Sequence, residues 1–352
     1  MTELMVRAPL PGEGTVLAAL WRELWELHEG WGGYASTRDA SMYEALAHRL
    51  EREAHMRGGL QLIGRHIHLV ACFRGQVVGQ VEGWFERHGT DPTTALTCEV
   101  RSLIVSASKR GLGAGRALLE TLGRVAVDAC VGPRLIVVAE VLEVNPAREF
   151  YRRVGYAPVA FCGRMELGEA RVGDRSGFRA ALAEPRDALP LALLEAQLTE
   201  RRRAVGDFRF DRPRAVDATL LGDIALRLGR QARSAQAGIA GVAGLTGPPL
   251  ELVVRDAGGT VCAAATITVG TLDSPFVPAR RAMLGRIVLD PARCAEAVLA
   301  PLVGFARGCA LMAGAVSLEL TDLPAPRSAL HQAALAVGAR PWTQVVAWSP
   351  WP

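Results

Sequence analysis

Apolar residues recur at helical spacing in two consecutive stretches near the start of the chain. In the first stretch, "TVLAALWRELWELHEGW", one stripe collects the side chains of Leu17, Leu20, Trp21, Leu24 and Trp25. Such a stripe is typical of an amphipathic helix that packs on a core. The second stretch, "ASMYEALAHRLEREAHM", follows a polar segment that is a typical helix start. The pattern therefore predicts two helices before the first long strand.

Five stretches with strand character follow, and helical patterns separate the last three. The first two, "HIHLVACF" and "QVVGQVEGWFER", are joined by a short turn with a glycine and predict a hairpin. A third strand covers residues 96–107, a buried fourth covers residues 134–141, and "APVAFCGRMEL" is the fifth. Hairpin-linked strands are antiparallel and helix-linked strands are parallel. The order α-α-β-β-β-α-β-α-β therefore predicts a mixed sheet.

The length of the chain and an internal repeat predict two domains. The 352 residues exceed the roughly 150 of a typical single domain. "VGYAP" at 154–158 is echoed by "VGARP" at 337–341, and the hairpin, strand, helix, strand and helix of the first half recur in the second. We expect domains at residues 1–168 and 169–352. The predicted fold class is α/β, of the α+β type, with a mixed central sheet flanked by helices in each domain.

Composition and charge exclude several classes of protein. Apolar residues make up 50% of the chain and charged residues 22%, which is typical of a globular protein with a core. The net charge of +4 is too small to indicate a nucleic-acid-binding face. The sequence contains no run of ~18 or more apolar residues, so a membrane span is not expected. The start of the sequence does not resemble a signal peptide, so a cytoplasmic location is expected.

Cysteine and histidine patterns give no strong indication of a metal. The seven cysteines form no CxxC pair, so buried free thiols are the favoured interpretation. His66 and His68 could form a ligand pair. Alternation of polar residues on a half-exposed strand is the favoured interpretation of these two histidines. The sequence therefore predicts no metal.

A cluster of glycines lies between an apolar strand and a predicted helix, in "KRGLGAGRALL". It matches neither the dinucleotide fingerprint, whose third glycine would fall on Arg116, nor a P-loop. A plain glycine-rich turn and an anion site remain. In an anion site, backbone N–H groups and the helix dipole converge on a phosphate, and Arg110 and Arg116 add positive charge. A pyrophosphate is the natural ligand of such a loop.

The surroundings of this loop carry a family resemblance. The run Arg110-Gly111-Leu112-Gly113-Ala114-Gly115 follows the strand "EVRSLIV", and about 30 residues later a strand leads into "NPAREFYRRVGY". Over roughly residues 5–168, these motifs and the element order resemble the GNAT superfamily of N-acyltransferases. The resemblance implies a site for coenzyme A. Its residues would be Leu103, Ile104, Val105, Arg110, Gly111, Leu112, Gly113, Ala114, Gly115, Arg116, Asn145, Arg148 and Tyr151.

The same resemblance implies roles in catalysis. In this superfamily the tyrosine that matches Tyr151 commonly protonates the departing thiolate, although Tyr151 could also be a core aromatic beside Phe150. Many relatives carry a glutamate at the position of Glu99 as the base that deprotonates the amine. Glu140 is the alternative candidate for this base, since a carboxylate buried in an apolar strand is unfavourable unless it has a charged partner or a catalytic function. A third alternative is that no side chain acts as the base.

The second half lacks these groups. The loop after Ile287-Val288-Leu289 reads "DPARCAEA" and contains no glycine. At the repeat offset of 183 residues, Ala334 takes the place of Tyr151, and Ser328 takes that of Asn145. This arrangement resembles tandem acyltransferases such as mycothiol synthase, in which one domain is active. Here the intact motif is in the first domain, and the second is expected to shape the acceptor cleft.

The function implied is N-acetyl transfer from acetyl-CoA, as co-substrate, to a primary amine within a ternary complex. The expected partner is a small-molecule or peptide amine, with no nucleic acid, no membrane and no metal; a homodimer is compatible with the sequence. Two alternatives stay open, namely a CoA-binding regulatory protein without turnover and a structural scaffold that binds no coenzyme A.

Overall fold

The computed structural model forms two compact units. The first unit comprises Met1–Pro158, Ser274–Val277 and Val345–Pro352, and the second comprises Val159–Asp273 and Pro278–Gln344. The residues that the structure describes are 4–87, 96–130, 135–168, 177–204, 207, 215–236, 249–272 and 275–350.

Two long helices precede the first long strand of the first unit, as the sequence predicts. The unit contains α1 (Gly14–Gly30), α2 (Ala40–Arg57), α3 (Ala114–Ala129) and α4 (Ala147–Arg153). The carboxylate of Asp39 accepts a hydrogen bond from the backbone N–H of Ser41 and caps α2, which ends at Gly58 in the left-handed region. The predicted stripe of α1 is confirmed, since Leu17, Leu20, Leu24 and Trp25 are buried.

A mixed sheet forms the centre of the first unit. Its strands are β1 (Leu4–Arg7), β2 (Leu62–Ile63), β3 (His66–Phe73), β4 (Gln76–Arg87), β5 (Leu96–Val100), β6 (Ile104–Val105), β7 (Leu135–Leu142) and the start of β8 (Ala157–Glu166). The order is β1-β3-β4-β5-β7, with β2 beside β3 and β6 beside β4. The pairs β3–β4 and β4–β5 are antiparallel and β5–β7 is parallel. The predicted mixed sheet is therefore confirmed.

The two faces of this sheet carry separate apolar clusters. Leu118 and Leu122 of α3 pack with Leu69, Val137 and Tyr151 on one face. On the other face, a cluster from α1 and α2 packs on β3; its buried members include Leu17, Leu24, Leu46, Leu50 and Val70. Alternate residues of each strand thus face opposite layers, as the pleat of a sheet requires.

The second unit repeats the same order of elements. It contains β9 (Arg179–Leu182), α5 (Ala188–Ala204), α6 (Ala218–Gln236), β10 (Leu250–Arg255), β11 (Val261–Leu272), β12 (Ala279–Leu289), α7 (Ala295–Met312), β13 (Ala315–Leu323), α8 (Ala329–Ala336) and the start of β14 (Arg340–Trp348). Its sheet has the order β8-β13-β12-β11-β10-β9, in which only β12–β13 is parallel among the pairs described.

The predicted domain limits differ from the units that the structure forms. The first unit ends at Pro158 and not at residue 168, because β8 from Val159 onward pairs with β13. Two later segments, Ser274–Val277 and Val345–Pro352, belong to the first unit. A single domain boundary cannot describe units that are made of several separate segments. Pairing between distant strands, and not chain order, decides to which unit a strand belongs.

One helix has the length and composition of a membrane span, which was not expected from the sequence. The 18 residues of this helix, α7, have a mean hydropathy of 1.4. In the second unit, however, Val298, Leu299, Leu302 and Val303 of α7 lie fully buried in the core. A core helix that packs on a sheet explains the same composition.

Candidate functional site

Two neighbouring strands of the first unit separate where the glycine loop begins. β5 pairs in parallel with β7 from Leu96–Leu135 to Val100–Ala139. Beyond this point the chain runs on as β6, which pairs with β4 through Val105–Gly79 and Ile104–Gln80. Among the described residues, no ladder joins β6 to β7. The backbone of Leu103–Val105 is therefore not paired with β7, and a gap separates it from the end of β7 beside the glycine loop.

A bulge produces this separation. Between the Val100 and Ile104 pairings, the strand has one residue more than the stretch of β4 that opposes it. An extra residue bends a strand and increases its twist. Gly79 allows the close approach that results, because a Cβ atom there would lie 2.7 Å from the carbonyl oxygen of Ile104.

The glycine loop has the backbone conformation that its glycines allow. Gly111 and Gly113 have φ angles of 86° and 81°, and a Cβ atom at either position would meet open space. Gly115 is different, since a Cβ atom there would lie 3.3 Å from the ring of Phe150. Two glycines therefore set the turn and the third lets α3 pack closely on α4. The loop's Leu112 is exposed, whereas Ala114 is buried.

The N-terminus of α3 opens onto this loop. Gly113 is the N-cap residue, and no side chain accepts a hydrogen bond there. The first N–H groups of a helix have no partner within the helix, and the helix dipole makes them a favourable site for an anion. The loop and the helix start thus have the geometry of a phosphate site.

The two arginines of the motif differ in their surroundings. The guanidinium of Arg110 lies 3.2 Å from the carboxylate of Glu23 and donates to the carbonyl of Val105. Glu23 also accepts the backbone N–H of Ala107, so α1 holds the start of the loop. Arg116 is exposed and forms no ion pair with any residue that the structure describes. Arg116 is thus the more available partner for an anion.

Asn145 and Arg148 hold the start of α4. The side-chain oxygen of Asn145 accepts the N–H of Ala147 at 2.8 Å, and Asn145 is buried. The helix begins at Ala147 after Pro146, and the Asn145 side chain stabilises the turn that leads into it. Arg148 forms an ion pair with Glu143, so its guanidinium already has a partner beside the end of β7.

Tyr151 lies in the aromatic core between α3 and the sheet. Its ring contacts Phe150 and Tyr156 edge-on, with centroids 5.7 and 5.3 Å apart, and the residue is 6% exposed. Burial raises the pKa of Tyr151 above its usual value of 10. The hydroxyl is therefore protonated throughout the neutral range. It can donate a hydrogen bond, while complete transfer of its proton to a thiolate would be uphill.

Glu99 and Glu140 lie on the opposite face from Tyr151. The carboxylate of Glu99 lies 2.6 Å from Arg101, which also contacts Glu86 and stacks over Trp84. Glu99 is therefore an ion-paired surface carboxylate. Glu140 is exposed, so the expectation of a buried carboxylate in the fourth strand is wrong. The alternation of β7 turns Leu135, Val137 and Ala139 into the core and Glu140 outward.

The interpretation of His66 and His68 as half-exposed residues is also wrong. Both are buried beneath α1 and α2, and with Glu82 they place potential ligand atoms within 4.8 Å of one another. Arg57, however, donates to Nδ1 of His66 at 2.7 Å. In a neutral imidazole the proton then lies on Nε2, which faces Glu82 at 3.2 Å.

These hydrogen bonds give both buried histidines a structural role that needs no metal ion. A metal-bound histidine normally donates its second N–H to an acceptor, whereas here that nitrogen faces a guanidinium. Nε2 of His68 lies 3.2 Å from the Gln80 side chain, whose amide donates to the carbonyl of Leu17. The cluster thus ties β3 and β4 to α1 and α2.

In the second unit the strands separate at the equivalent place, but the loop differs. The pairing of β12 with β13 ends at Leu284–Leu320, whereas its pairing with β11 continues to Leu289–Ala263. The loop to α7 carries Asp290, whose carboxylate accepts the N–H of Ala292, and Arg293, which pairs with Asp256. The loop of the second unit thus carries the carboxylate of Asp290 and no glycine. Its negative charge would repel a phosphate.

The structure aligns the two repeats at the predicted positions. The N–H of Tyr156 donates to the carbonyl of Tyr151, and that of Ala339 donates to Ala334, both at 3.0 Å. Gly155 and Gly338 precede them, with φ angles of 90° and 96°. Ala334 therefore occupies the place of Tyr151.

The comparison with known families agrees with this geometry. Residues 64–158 match the family model of the acetyltransferase (GNAT) domain. The matched residues lie entirely within the first unit. Among curated proteins, none matches the sequence.

Solved structures show how far the GNAT fold extends. The chain is similar to a GCN5-related N-acetyltransferase from Sphaerobacter thermophilus, with 16% identity, a TM-score of 0.54 and coverage of 100% of this chain and 97% of that one. A tandem GNAT protein from the clavulanic acid biosynthesis pathway shows 17% identity and a TM-score of 0.47, over 99% and 98% of the chains. A fungal GCN5-related glucosamine N-acetyltransferase region shows 12% identity and a TM-score of 0.54, over 99% of this chain and 38% of that one. The likeness to the Sphaerobacter structure over the whole chain and the repeated order of elements in the two units confirm the predicted fold class.

Three groups near the site were not singled out from the sequence. Glu23 holds the glycine loop, Phe276 pairs with the segment after α1, and Trp348 covers α3 and the turn after α4. Glu23 lies on the predicted first helix, but nothing in a helical pattern shows which loop it meets. Phe276 and Trp348 come from distant parts of the chain.

Proposed function

We propose that the first unit transfers an acetyl group from acetyl-CoA to a primary amine. The observation that carries this proposal is the glycine loop at the uncapped start of α3, beside the point where β5 and β7 separate. The GNAT domain match adds the reaction class. The second unit has neither the glycines nor the tyrosine, so the first unit alone would hold the co-substrate.

The residues of the loop and strands suit the parts of coenzyme A. N–H groups of residues 111–116 and the guanidinium of Arg116 would bind the pyrophosphate. The backbone of Leu103–Val105, which leaves β7, would hydrogen-bond the amide-bearing arm. Asn145 and α4 would flank the thioester.

Transfer requires one bond to form and one to break. The neutral amine attacks the thioester carbonyl carbon, a C–N bond forms, the C–S bond breaks, and the amine loses a proton. Tyr151 would stabilise the leaving sulfur by donating a hydrogen bond, since its hydroxyl remains protonated. Glu99 would accept the amine proton, directly or through water, only when Arg101 releases its carboxylate.

Two measurements test the proposal. Calorimetry with acetyl-CoA should show binding, and release of free thiol should follow the addition of one amine from a panel of benzylamine, spermidine, kanamycin and tri-alanine. Binding without thiol release from a broader amine panel would favour a CoA-binding regulator. Absence of binding would favour a scaffold and overturn the proposal.

A further inference from the structure

Three residues from the second half of the sequence hold a loop of the first unit. The chain between β11 and β12 contributes Pro275–Val277 to that unit. The N–H of Thr37 donates to Pro275 at 2.7 Å, and the N–H of Val277 donates to Ala35 at 2.9 Å. Ser36 and Phe276 form an antiparallel bridge between these bonds. The segment thus pairs with the loop as a short added strand.

The ring of Phe276 adds an apolar anchor to this pairing. It packs edge-on against Tyr34, with centroids 5.8 Å apart, and contacts the apolar cluster of α1 and α2. Ser36 is almost completely buried. On the other side, the carboxylate of Glu29 accepts the hydroxyl of Ser36 at 2.6 Å. The loop of residues 31–39 is therefore held between α1 and Pro275–Val277.

The loop needs these contacts because its own sequence gives it little stability. Gly32 has a φ angle of 81°, and a Cβ atom on Gly33 would lie 2.6 Å from the carbonyl oxygen of His28. Two consecutive glycines lose more conformational entropy on ordering than other residues do. Between α1 and α2, the structure assigns the loop no helix or strand beyond the bridge at Ser36.

The position of the loop connects it to the candidate site. A Cβ atom on Gly33 would lie 3.4 Å from the side chain of Leu142, the last residue of β7. The carbonyl of Leu142 accepts the backbone N–H of Asn145, whose side chain in turn accepts the N–H of Ala147 at the start of the helix that carries Tyr151. The loop thus lies at the carboxyl end of the strand that borders the separation, where ligands of open α/β sheets bind.

We propose that Pro275–Val277 orders the loop of residues 31–39 as one wall of the amine site, and that Phe276 is a positioning residue. This inference rests on the proposed function and gives the second half of the chain a role without coenzyme A. The loop's aromatic residues, Trp31 and Tyr34, would contact the amine's substituents. The acceptor class that fits is an amine with an apolar or aromatic group, of which benzylamine is the simplest probe.

The first test measures hydrogen exchange in the free, full-length protein and needs no substrate. Phe276→Ala should speed exchange in residues 31–39 by at least tenfold and leave α3 protected. Val277→Pro removes the N–H that Ala35 accepts and fixes φ at this position, at an exposed side chain that is not part of the core. Val277→Thr keeps that N–H and is its matched control. Unchanged exchange in both Phe276→Ala and Val277→Pro would overturn the inference.

The second test separates the amine site from the co-substrate site. In Phe276→Ala, the KM for benzylamine, or for whichever panel amine is turned over, should rise about tenfold. The affinity for acetyl-CoA should stay within twofold, and Phe276→Tyr should restore the KM. Phe305→Ala, which truncates a partly buried ring of the second unit's core, is the control for lost packing.

The outcomes distinguish this inference from the proposed function. If the wild-type protein binds no acetyl-CoA, the proposed function fails, while the exchange experiment still tests the clamp on the loop. If acetyl-CoA binds and an amine reacts, an unchanged KM in Phe276→Ala overturns the inference alone. A loss of acetyl-CoA affinity in Phe276→Ala would also contradict it, since the loop would then serve the co-substrate.

Discussion

The indole of Trp348 stacks on the ring of Tyr156, with centroids 6.5 Å apart and planes inclined by 29°. Trp348 also covers Gly123 of α3 and Gly155 after α4, where no side chain intervenes. Tyr156 in turn packs edge-on against Tyr151. The end of the last strand therefore supports the aromatic cluster that holds the proposed hydrogen-bond donor.

Replacement of Trp348 should destabilise the first unit. Trp348→Ala leaves a cavity over two glycines and beside Tyr156, and the cost should be roughly 3 kcal/mol in the free energy of unfolding. Chemical denaturation measures this cost, and calorimetry should show weaker binding of acetyl-CoA. In Trp342→Ala, which removes a ring stacked on Arg164 in the second unit, acetyl-CoA affinity should stay unchanged. Equal affinities in both variants would contradict the role given to Trp348.

Replacement of Gly113 should remove acetyl-CoA binding from a folded protein. Gly113→Val forces a β-branched residue into the left-handed region at the start of α3, which costs roughly 1–3 kcal/mol and turns the N–H groups away. Calorimetry should detect no binding. Gly259→Val is the matched control, because Gly259 has a φ angle of 84° and open space around it in the second unit. Normal affinity in a folded Gly113→Val protein would remove the loop from the proposed site.

The chain should bind one molecule of acetyl-CoA. The second unit keeps the separation of β12 and β13, but Asp290 and Arg293 occupy its loop and Ala334 replaces the tyrosine. Titration calorimetry gives the ratio directly, and Gly113→Val should reduce it from one to zero. A ratio of two in the wild-type protein would show that the second unit also binds.

Removal of the Tyr151 hydroxyl should affect turnover and not binding. Tyr151→Phe keeps the ring in its aromatic cluster, so affinity for acetyl-CoA should change little. The kcat should fall by roughly 10²–10³-fold, the usual contribution of a positioned hydrogen-bond donor to a developing negative charge. Because burial raises the pKa of Tyr151 above 10, no loss of activity below pH 10 should come from its ionisation. Turnover within twofold of wild type, with chemistry rate-limiting, would make Tyr151 a core aromatic only.

Stability should decrease as the pH falls from 6.5 to 4. Burial lowers the pKa of His68 to about 4, whereas its ordinary value is 6.5. In this window the unfolded chain binds a proton at His68 and the folded chain does not, so acid favours unfolding by up to about 3 kcal/mol. His68→Gln should flatten the dependence measured by denaturation. His48→Gln, at an exposed histidine of α2, should leave the slope unchanged.

Local patterns alone were enough to predict the turns that border the candidate site. Glycine adopts the left-handed region readily, as Gly111 and Gly113 do, so their spacing between a strand and a helix already indicated the turn. The match of Tyr151 with Ala334 could also be predicted, because the turn after each short helix depends on a glycine and on hydrogen bonds five residues apart. Such features depend on neighbours in the chain, and neighbours are visible in the sequence.

Other features were decided only by the tertiary structure. The exposure of Glu140 depends on which face of β7 meets α3, and the burial of His66 depends on Arg57 and Glu82, which lie elsewhere in the chain. The inclusion of Pro275–Val277 and of Trp348 in the first unit depends on pairing between distant segments. Hydrophobic periodicity shows that a strand buries one face, but it does not specify which partner strand or which core receives that face, because many apolar surfaces satisfy the same pattern.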